Sequence, residues 1–215
     1  MSILTISSKN YSSWSLRGWL LCRMAGLEFE EVRVDLDEEA CQELLLLSPS
    51  MLVPRLVHGD VTVWDTLAIA TYLTESFPKA GLLPKDKVAR NHCRSVSGEM
   101  HSGFYNLRSA LPINLKARHK SFKIFSGACP DVERVKTIWR ECLEVHGRPY
   151  LFGKVPTVAD AMYAPVCTRF VTYAVDMEED IAAYCQTILD WSLMKEWTEG
   201  AMEEPDEIIE LEVEF

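Results

Sequence analysis

The order of apolar and polar positions divides the chain into two regimes. Over the first third, short strand-like runs alternate with helical ones, and beyond it the apolar spacing is helical throughout. Residues 3–7 form a first β-type run, followed by a polar turn over 10–15. A helical pattern over 16–25 then reaches Gly26, a residue suited to end a helix. Residues 29–34 alternate as a strand with Val32 and Val34 on one face, and 38–47 are helix-like up to Ser48-Pro49-Ser50. Next come a proline-led strand at Val53-Pro54-Arg55-Leu56, a turn at His58-Gly59-Asp60 and a second strand over 61–64. A helix opens at Asp65 and Thr66 and runs to about Phe77. This βαβ then ββα order predicts a mixed sheet with helices on its faces.

Pro78-Lys79-Ala80-Gly81-Leu82-Leu83-Pro84 is the natural linker, with two prolines and a glycine in seven residues. It predicts domains at 1–78 and 85–215, joined by 79–84. In the second domain one long helix is expected over 88–111, broken at Pro112. Another is expected over 132–145, stopped by Gly147 with Pro149 beyond it. A third starts at Thr157, and 181–197 holds at least one more, so this domain should be all α. Thr157 is placed as an N-cap, and Asp160, three residues on, can return a bond to the Thr157 N–H, as in a capping box. Residues 203–215 are acidic, with Ile208, Ile209, Leu211 and Val213 interspersed. They read either as an extended surface tail or as a disordered one.

Composition narrows the class. A chain of 215 residues, 48% hydrophobic and 25% charged, is that of a soluble globular protein with a proper core. The formal charge of −10 argues against nucleic acid as a main partner, because phosphate binding needs a basic face. No apolar run approaches the length that a bilayer demands, and Met1-Ser2-Ile3-Leu4-Thr5-Ile6 lacks the basic and apolar regions of a signal peptide. Seven scattered cysteines without C-x-x-C pairs fit free thiols in a reducing compartment, so cytoplasm is expected. The five histidines have no H-x-x-x-H spacing, and no metal site is expected.

The candidate chemistry begins at Pro54. Proline cannot donate to a sheet ladder, so it belongs at the start of its strand, on the edge side or in a special turn. A cis Val53-Pro54 bond would turn the Val53 N–H and C=O outward to pair with an extended peptide. Asp65 and Thr66 stand at a helix N-terminus, where free N–H groups and the dipole attract a carboxylate. Together they suggest a small anionic peptide ligand; an ordinary hairpin with a capped helix is the alternative reading.

Val53, Pro54, Asp65, Thr66, Ala68 and Ile69 resemble, in identity and spacing, the Val-Pro and acid-hydroxyl-x-Ala-Ile signature of the glutathione S-transferase superfamily. The Thr157–Asp160 box is similar to the one that opens the buried central helix of that family's α domain. The resemblance thus covers nearly the whole chain. It implies a thioredoxin-like, glutathione-binding N-terminal domain and an all-α C-terminal domain, with glutathione as co-substrate. It further implies a small electrophile as the second substrate, a homodimer, and a detoxification role in the cytoplasm. Val53, Pro54, Asp65 and Thr66 would hold glutathione, with Tyr11 beside them.

Catalysis would then mean stabilising the glutathione thiolate with a hydroxyl at the start of the first helix. That region reads Tyr11-Ser12-Ser13-Trp14-Ser15 and is similar to the Ser-Ser-Cys-Ser run of bacterial-type, zeta-like members, with Trp14 in place of the cysteine. Ser12 takes the place of the active serine, with Ser13 its neighbour and Tyr11 a competing hydroxyl. The serines also suit a simple helix cap. Arg17 reads as a solvated surface residue, Trp19 as core, and Trp14 as part of an acceptor wall with Met100, His101, Phe104, Tyr105 and Arg108 near it. Met51 stands where relatives carry glycine, and Asp65 is one methylene shorter than the usual Glu. An enzyme of conjugation or glutathione-dependent isomerisation leads, and a non-catalytic binding scaffold of the same fold is the alternative. A cysteine-dependent oxidoreductase is disfavoured because residues 11–15 hold no cysteine.

Overall fold

The computed structural model describes residues 1–34, 53–120 and 122–205. The helix expected over 38–47, the segment around Met51 and the tail from 206 lie outside the described residues. Four strands form one mixed sheet: β1 (Ser2–Ile6), β2 (Glu30–Arg33), β3 (Arg55–His58) and β4 (Val61–Trp64), in the order β2-β1-β3-β4. β1 runs parallel to β2 and antiparallel to β3, and β3 is antiparallel to β4 across the short turn at Gly59. A parallel pair requires a crossover, which α1 (Ser13–Met24) supplies. The fold is thioredoxin-like at its N-terminal end and all-helical beyond it.

α1 shows why its sequence makes a helix of this length. Ser12 caps it, accepting the Ser15 N–H at 3.2 Å. At the other end Gly26 takes a φ of 72°, its N–H bonds to the Arg23 carbonyl, and the Leu27 N–H reaches back to that of Cys22. Those two bonds are a Schellman stop, which needs the left-handed residue that glycine provides. The helix therefore begins three residues before the expected start, because the serines of the polar turn belong to its cap and first turn. α2 (Thr66–Ser76) follows β4, capped by Asp65. Leu4, Ile6, Leu16, Leu20, Leu56, Ile69 and Leu73 close the core between sheet and helices.

The second domain contains α3 (Lys87–Ser102), α4 (Tyr105–Ala110), α5 (Cys129–His146), α6 (Val158–Thr172), α7 (Glu179–Asp190) and α8 (Ser192–Glu203). The single helix expected over 88–111 is in fact two. Gly103 adopts an extended backbone and Phe104 a φ of 58°, which no continuing α-helix can absorb. The break turns Phe104 into the core and redirects α4, whose Arg108 lies over the Trp14 ring, while His101 at the end of α3 reaches Asp65. α6 is buried nearly all round. At its start the Asp160 carboxylate accepts the Thr157 N–H at 2.7 Å and the Thr157 hydroxyl at 3.0 Å, together with the Leu151 N–H and the Tyr184 hydroxyl. The Val158 N–H bonds to the Leu82 carbonyl, tying the linker to this helix. α1 packs on α6 across the domain boundary, where Arg17 Nε donates to the Met162 carbonyl at 2.8 Å.

Candidate active site

Two chain segments far apart in sequence meet here. The first is the loop between β1 and α1. Ser12 Oγ, besides capping α1, donates to Ser15 Oγ at 2.9 Å, and Ser15 Oγ also accepts the Ser7 N–H at 3.0 Å. This knot fixes the loop to the end of β1. Ser12 stays half-buried, whereas Ser13 is buried and its Oγ lies 3.4 Å from Arg169 Nη2, which donates to it. Tyr11 is buried too, its N–H bonded to Ser8 Oγ. Of this loop, Trp14 is the residue that reaches the adjoining cavity.

The second segment runs from Val53 to Thr66. The Val53-Pro54 bond is cis, and Pro54 packs beside α1. Asp65 has a φ of 74°, and its Oδ1 accepts the N–H groups of Leu67 and Ala68 at 2.9 and 3.1 Å. This changes the expectation for the helix end, since an incoming carboxylate must compete with Asp65 for those donors. The other oxygen, Oδ2, lies 3.0 Å from His101 Nε2, while Thr66 Oγ1 is 3.3 Å from His101 Nδ1. One histidine of α3 thus holds both residues at the start of α2.

Val53, Pro54, Asp65 and Thr66 line one cavity of about 290 Å³, facing Trp14, His101 and Arg108. The structure therefore brings four of the seven site residues expected from sequence to one wall. Ser12, Ser13 and Tyr11 do not line that cavity, and of the three only Ser12, two residues before Trp14 in the chain, is not buried. Two other hollows, one between α2 and α3 and one behind the linker, contain none of the seven. Met100 and Phe104 are buried in the core, as is Trp19, and Tyr105 is exposed and does not line the cavity.

The charge here comes from arginine. Arg17 is fully buried, against the expectation of a surface residue, and neither Nη1 nor Nη2 has a hydrogen-bond partner. Its guanidinium stacks 4.5 Å from the Trp14 ring, and that of Arg108 lies 5.5 Å from the same ring. Burial, then the neighbouring Arg169 and Arg108, hold the Arg17 pKa well below its ordinary value. Burial and Arg108 likewise bring Arg169 down to about 10. The Arg169 Nε donates to the Leu111 carbonyl, and its Nη1 has no partner. Among the described residues no carboxylate pairs with these three groups. The sequence did carry a sign for Arg17: Ser13, Leu20 and Leu21, at i−4, i+3 and i+4, share its helix face and are all buried. Arg169 carries no such sign, because nothing local separates a buried arginine from an exposed one inside an apolar helix.

Comparison with known proteins bears on the same segments. The family described as "Glutathione S-transferase, N-terminal domain" matches residues 11–76. A relative named "Glutathione S-transferase 1", from Dianthus caryophyllus, is 31% identical over 180 residues, covering 82% of this chain and 81% of its own. A "Probable maleylacetoacetate isomerase" of Caenorhabditis elegans is 30% identical over 165 residues, covering 77% of each. Among solved structures, a glutathione transferase homolog from Burkholderia with bound glutathione superposes with a TM-score of 0.72 at 21% identity, covering 94% of this chain and 99% of that one. A maleylacetoacetate isomerase from Anaeromyxobacter dehalogenans with bound glutathione gives 0.70 at 20% identity, covering 96% and 97%. At such identities these two likenesses speak for the fold.

Proposed function

Because the chain belongs to the glutathione S-transferase superfamily, we propose that it is a glutathione transferase or glutathione-dependent isomerase acting on a small anionic electrophile. The observation that carries this reading is the cavity itself. One wall can hold a peptide through Val53, Pro54, Asp65 and Thr66, and the other presents Arg108 and Trp14, near the buried guanidinium of Arg17, which no carboxylate among the described residues pairs with.

In this reading the Val53 backbone N–H and C=O pair with the peptide units of glutathione, and the Asp65 carboxylate receives its ammonium group. A ligand carboxylate is received by Thr66, since Asp65 already engages the N–H groups of Leu67 and Ala68. Glutathione supplies a thiol that becomes a strong nucleophile when ionised. Ser12 holds the ionised sulfur by rotating its hydroxyl from Ser15 Oγ toward it, with the positive end of α1 alongside. Ser12 fits this role better than Ser13, which is buried and engaged by Arg169. Arg108 draws an acceptor carboxylate to the cavity, and Trp14 forms the apolar face against which its carbon chain lies. The buried arginines add positive potential that favours both the thiolate and an anionic acceptor.

Relatives named as maleylacetoacetate isomerases support isomerisation, and the relative named as a glutathione S-transferase supports conjugation. A homodimer and a cytoplasmic location belong to the same proposal. Among the described residues no helix is long and apolar enough to cross a membrane. The domains at 1–78 and 85–215 would divide the work, the first holding glutathione and the second shaping the acceptor wall.

Calorimetry with glutathione, followed by turnover of an uncharged electrophile and of a small unsaturated dicarboxylate, tests the reading. Ser12→Ala should lower kcat about 10- to 100-fold by removing a hydrogen bond to a charged sulfur. Arg108→Ala should lower kcat/KM for the dicarboxylate and spare the uncharged substrate. Absence of binding at millimolar glutathione would sink the enzymatic reading and leave the scaffold alternative.

A further inference from the structure

The loop that carries Ser12 is gripped from the far end of the chain. Glu204 follows α8, and its carboxylate, 8% exposed, is turned into the β1–α1 loop. Oε2 accepts the Ser8 hydroxyl at 2.7 Å and the Asn10 N–H at 3.2 Å. Oε1 accepts the Lys9 N–H at 2.7 Å and lies 3.4 Å from Arg33 Nη1. Ser8 Oγ, held this way, in turn accepts the N–H groups of Asn10 and Tyr11 at 3.1 and 3.2 Å. The Ser12 N–H then closes onto the Ser8 carbonyl at 3.0 Å. One carboxylate therefore organises, directly or through Ser8, the backbone donors of the three residues that precede Ser12.

Neighbouring contacts set the grip in one position. Trp197 Nε1 donates to the Lys9 carbonyl at 3.0 Å, and Lys116 Nζ donates to the Glu204 carbonyl. The buried Asn10 side chain donates to Asn114 Oδ1 and accepts the N–H groups of Leu115 and Lys116. The loop is thus clamped between the end of α8 and residues 114–116. A carboxylate suits this place because several N–H and O–H donors converge on it, and bonds to a charged acceptor are the strong ones.

We propose that Glu204 is a positioning residue for thiol activation: through Ser8 it sets the loop conformation that presents the Ser12 hydroxyl at the start of α1. The inference rests on Ser12 being the thiolate partner. Glu204 itself touches no reacting atom. Its effect should fall on thiol ionisation and turnover more than on glutathione affinity, because Val53, Asp65 and Thr66 lie on other elements.

The test uses the full chain carrying Glu204→Gln or Ser8→Ala, with Ser12→Ala for reference. Glutathione affinity is measured by calorimetry, ionisation of the bound thiol by ultraviolet titration, and folding by circular dichroism. Glutamine keeps the volume of glutamate but puts an amide donor among donors. Glu204→Gln should shift the bound thiol's ionisation upward and lower kcat about tenfold while glutathione affinity changes far less. Ser8→Ala should move the same two readouts, and the double variant should add little to either single one. A drop in melting temperature with thiol ionisation and kcat per folded molecule unchanged would make Glu204 a structural pin only and overturn the proposal. If Glu204→Gln fails to fold, Ser8→Ala decides alone, since it cuts the same link and leaves the carboxylate's bonds to Lys9 and Asn10. Wild-type protein that binds no glutathione would overturn the functional reading itself. Binding with ionisation insensitive to both variants would overturn only this inference.

Discussion

Gly18 and Pro54 approach so closely that a methyl group added to the glycine would fall 2.5 Å from the Cβ and Cγ atoms of the proline ring. Gly18 lies mid-way along α1, where glycine costs roughly 0.5–1 kcal/mol relative to alanine. The contact explains its presence: the bare backbone lets the peptide-holding wall seat against the helix that begins at the serine loop. Gly18→Ala should therefore act against helix propensity. We predict a loss of about 1–3 kcal/mol by overpacking, with weakened glutathione binding, as Pro54 and Val53 are pushed toward the cavity. Chemical denaturation and calorimetry check the two halves; a stabilised variant with unchanged affinity would refute the account.

Arg17 sets fold against function. A fully buried guanidinium with both Nη atoms unpartnered is a desolvated charge that only the Nε bond to the Met162 carbonyl and the stack on Trp14 offset among the described residues. Replacing buried charge by an apolar side chain of similar volume often stabilises a protein by about 1–4 kcal/mol. Arg17→Met should raise the melting temperature, by about 2–4 °C for each kcal/mol gained in a chain of this size. The same variant should lower kcat/KM, above all for an anionic acceptor. Differential scanning calorimetry beside a kinetic comparison of charged and neutral substrates reads both effects. A fall in both stability and activity would show that the cation–π contact with Trp14 outweighs the burial cost.

What the sequence disclosed follows from where its information lies. Element identity was local. The strands, the Gly26 stop, the Asp65 cap and the Thr157–Asp160 box could be read because each depends on residues within a few positions of one another. The wall formed by Val53, Pro54, Asp65 and Thr66 came from a spaced motif. The split between α3 and α4 was hidden because Phe104, an apolar residue that suits a helix face, takes a left-handed backbone to bury its ring. The arginine cluster and the Glu204 grip were hidden for a different reason. Arg17 and Arg169 are brought together by helix packing, and Glu204 meets Ser8 across 196 positions, with no local pattern to record either event.

The start of α6 offers a prediction on stability alone. Asp160 is buried at the base of the helix, where desolvation pushes its pKa up while its hydrogen bonds pull it down. Thr157 supplies two of those bonds, one from its N–H and one from its hydroxyl. Thr157→Ala keeps the first and deletes the second, so the loss should be about 0.5–2 kcal/mol. Activity per folded molecule should not change, because this box lies outside the cavity lined by Asp65 and Arg108. Denaturant titration with an activity assay on the native fraction separates the two effects. Unchanged stability would show that the hydroxyl contributes nothing to the cap.

His146 gives the chain a specific acid sensitivity. Its Nε2 lies 2.9 Å from His92 Nδ1, and its ring stacks on Phe152 with centroids 4.6 Å apart. Burial first, then the nearby His92, lower the His146 pKa below its usual value near 6.5, with Asp86 opposing weakly. A histidine whose folded pKa is depressed favours the folded state only while it is neutral. That contribution is complete above the unfolded value and is lost as pH falls through the lower folded one. The wild type should therefore lose stability more steeply than His146→Gln as pH drops below about 6.5, where the unfolded histidine begins to bind its proton. Above that pH the two melting curves should run parallel, because neither side chain titrates. Melting temperatures at closely spaced pH values on both sides of that point decide the matter. A gap that stays constant through the acid range would mean that His146 can take up its proton in the folded state without cost, and that the contact with His92 does not oppose it.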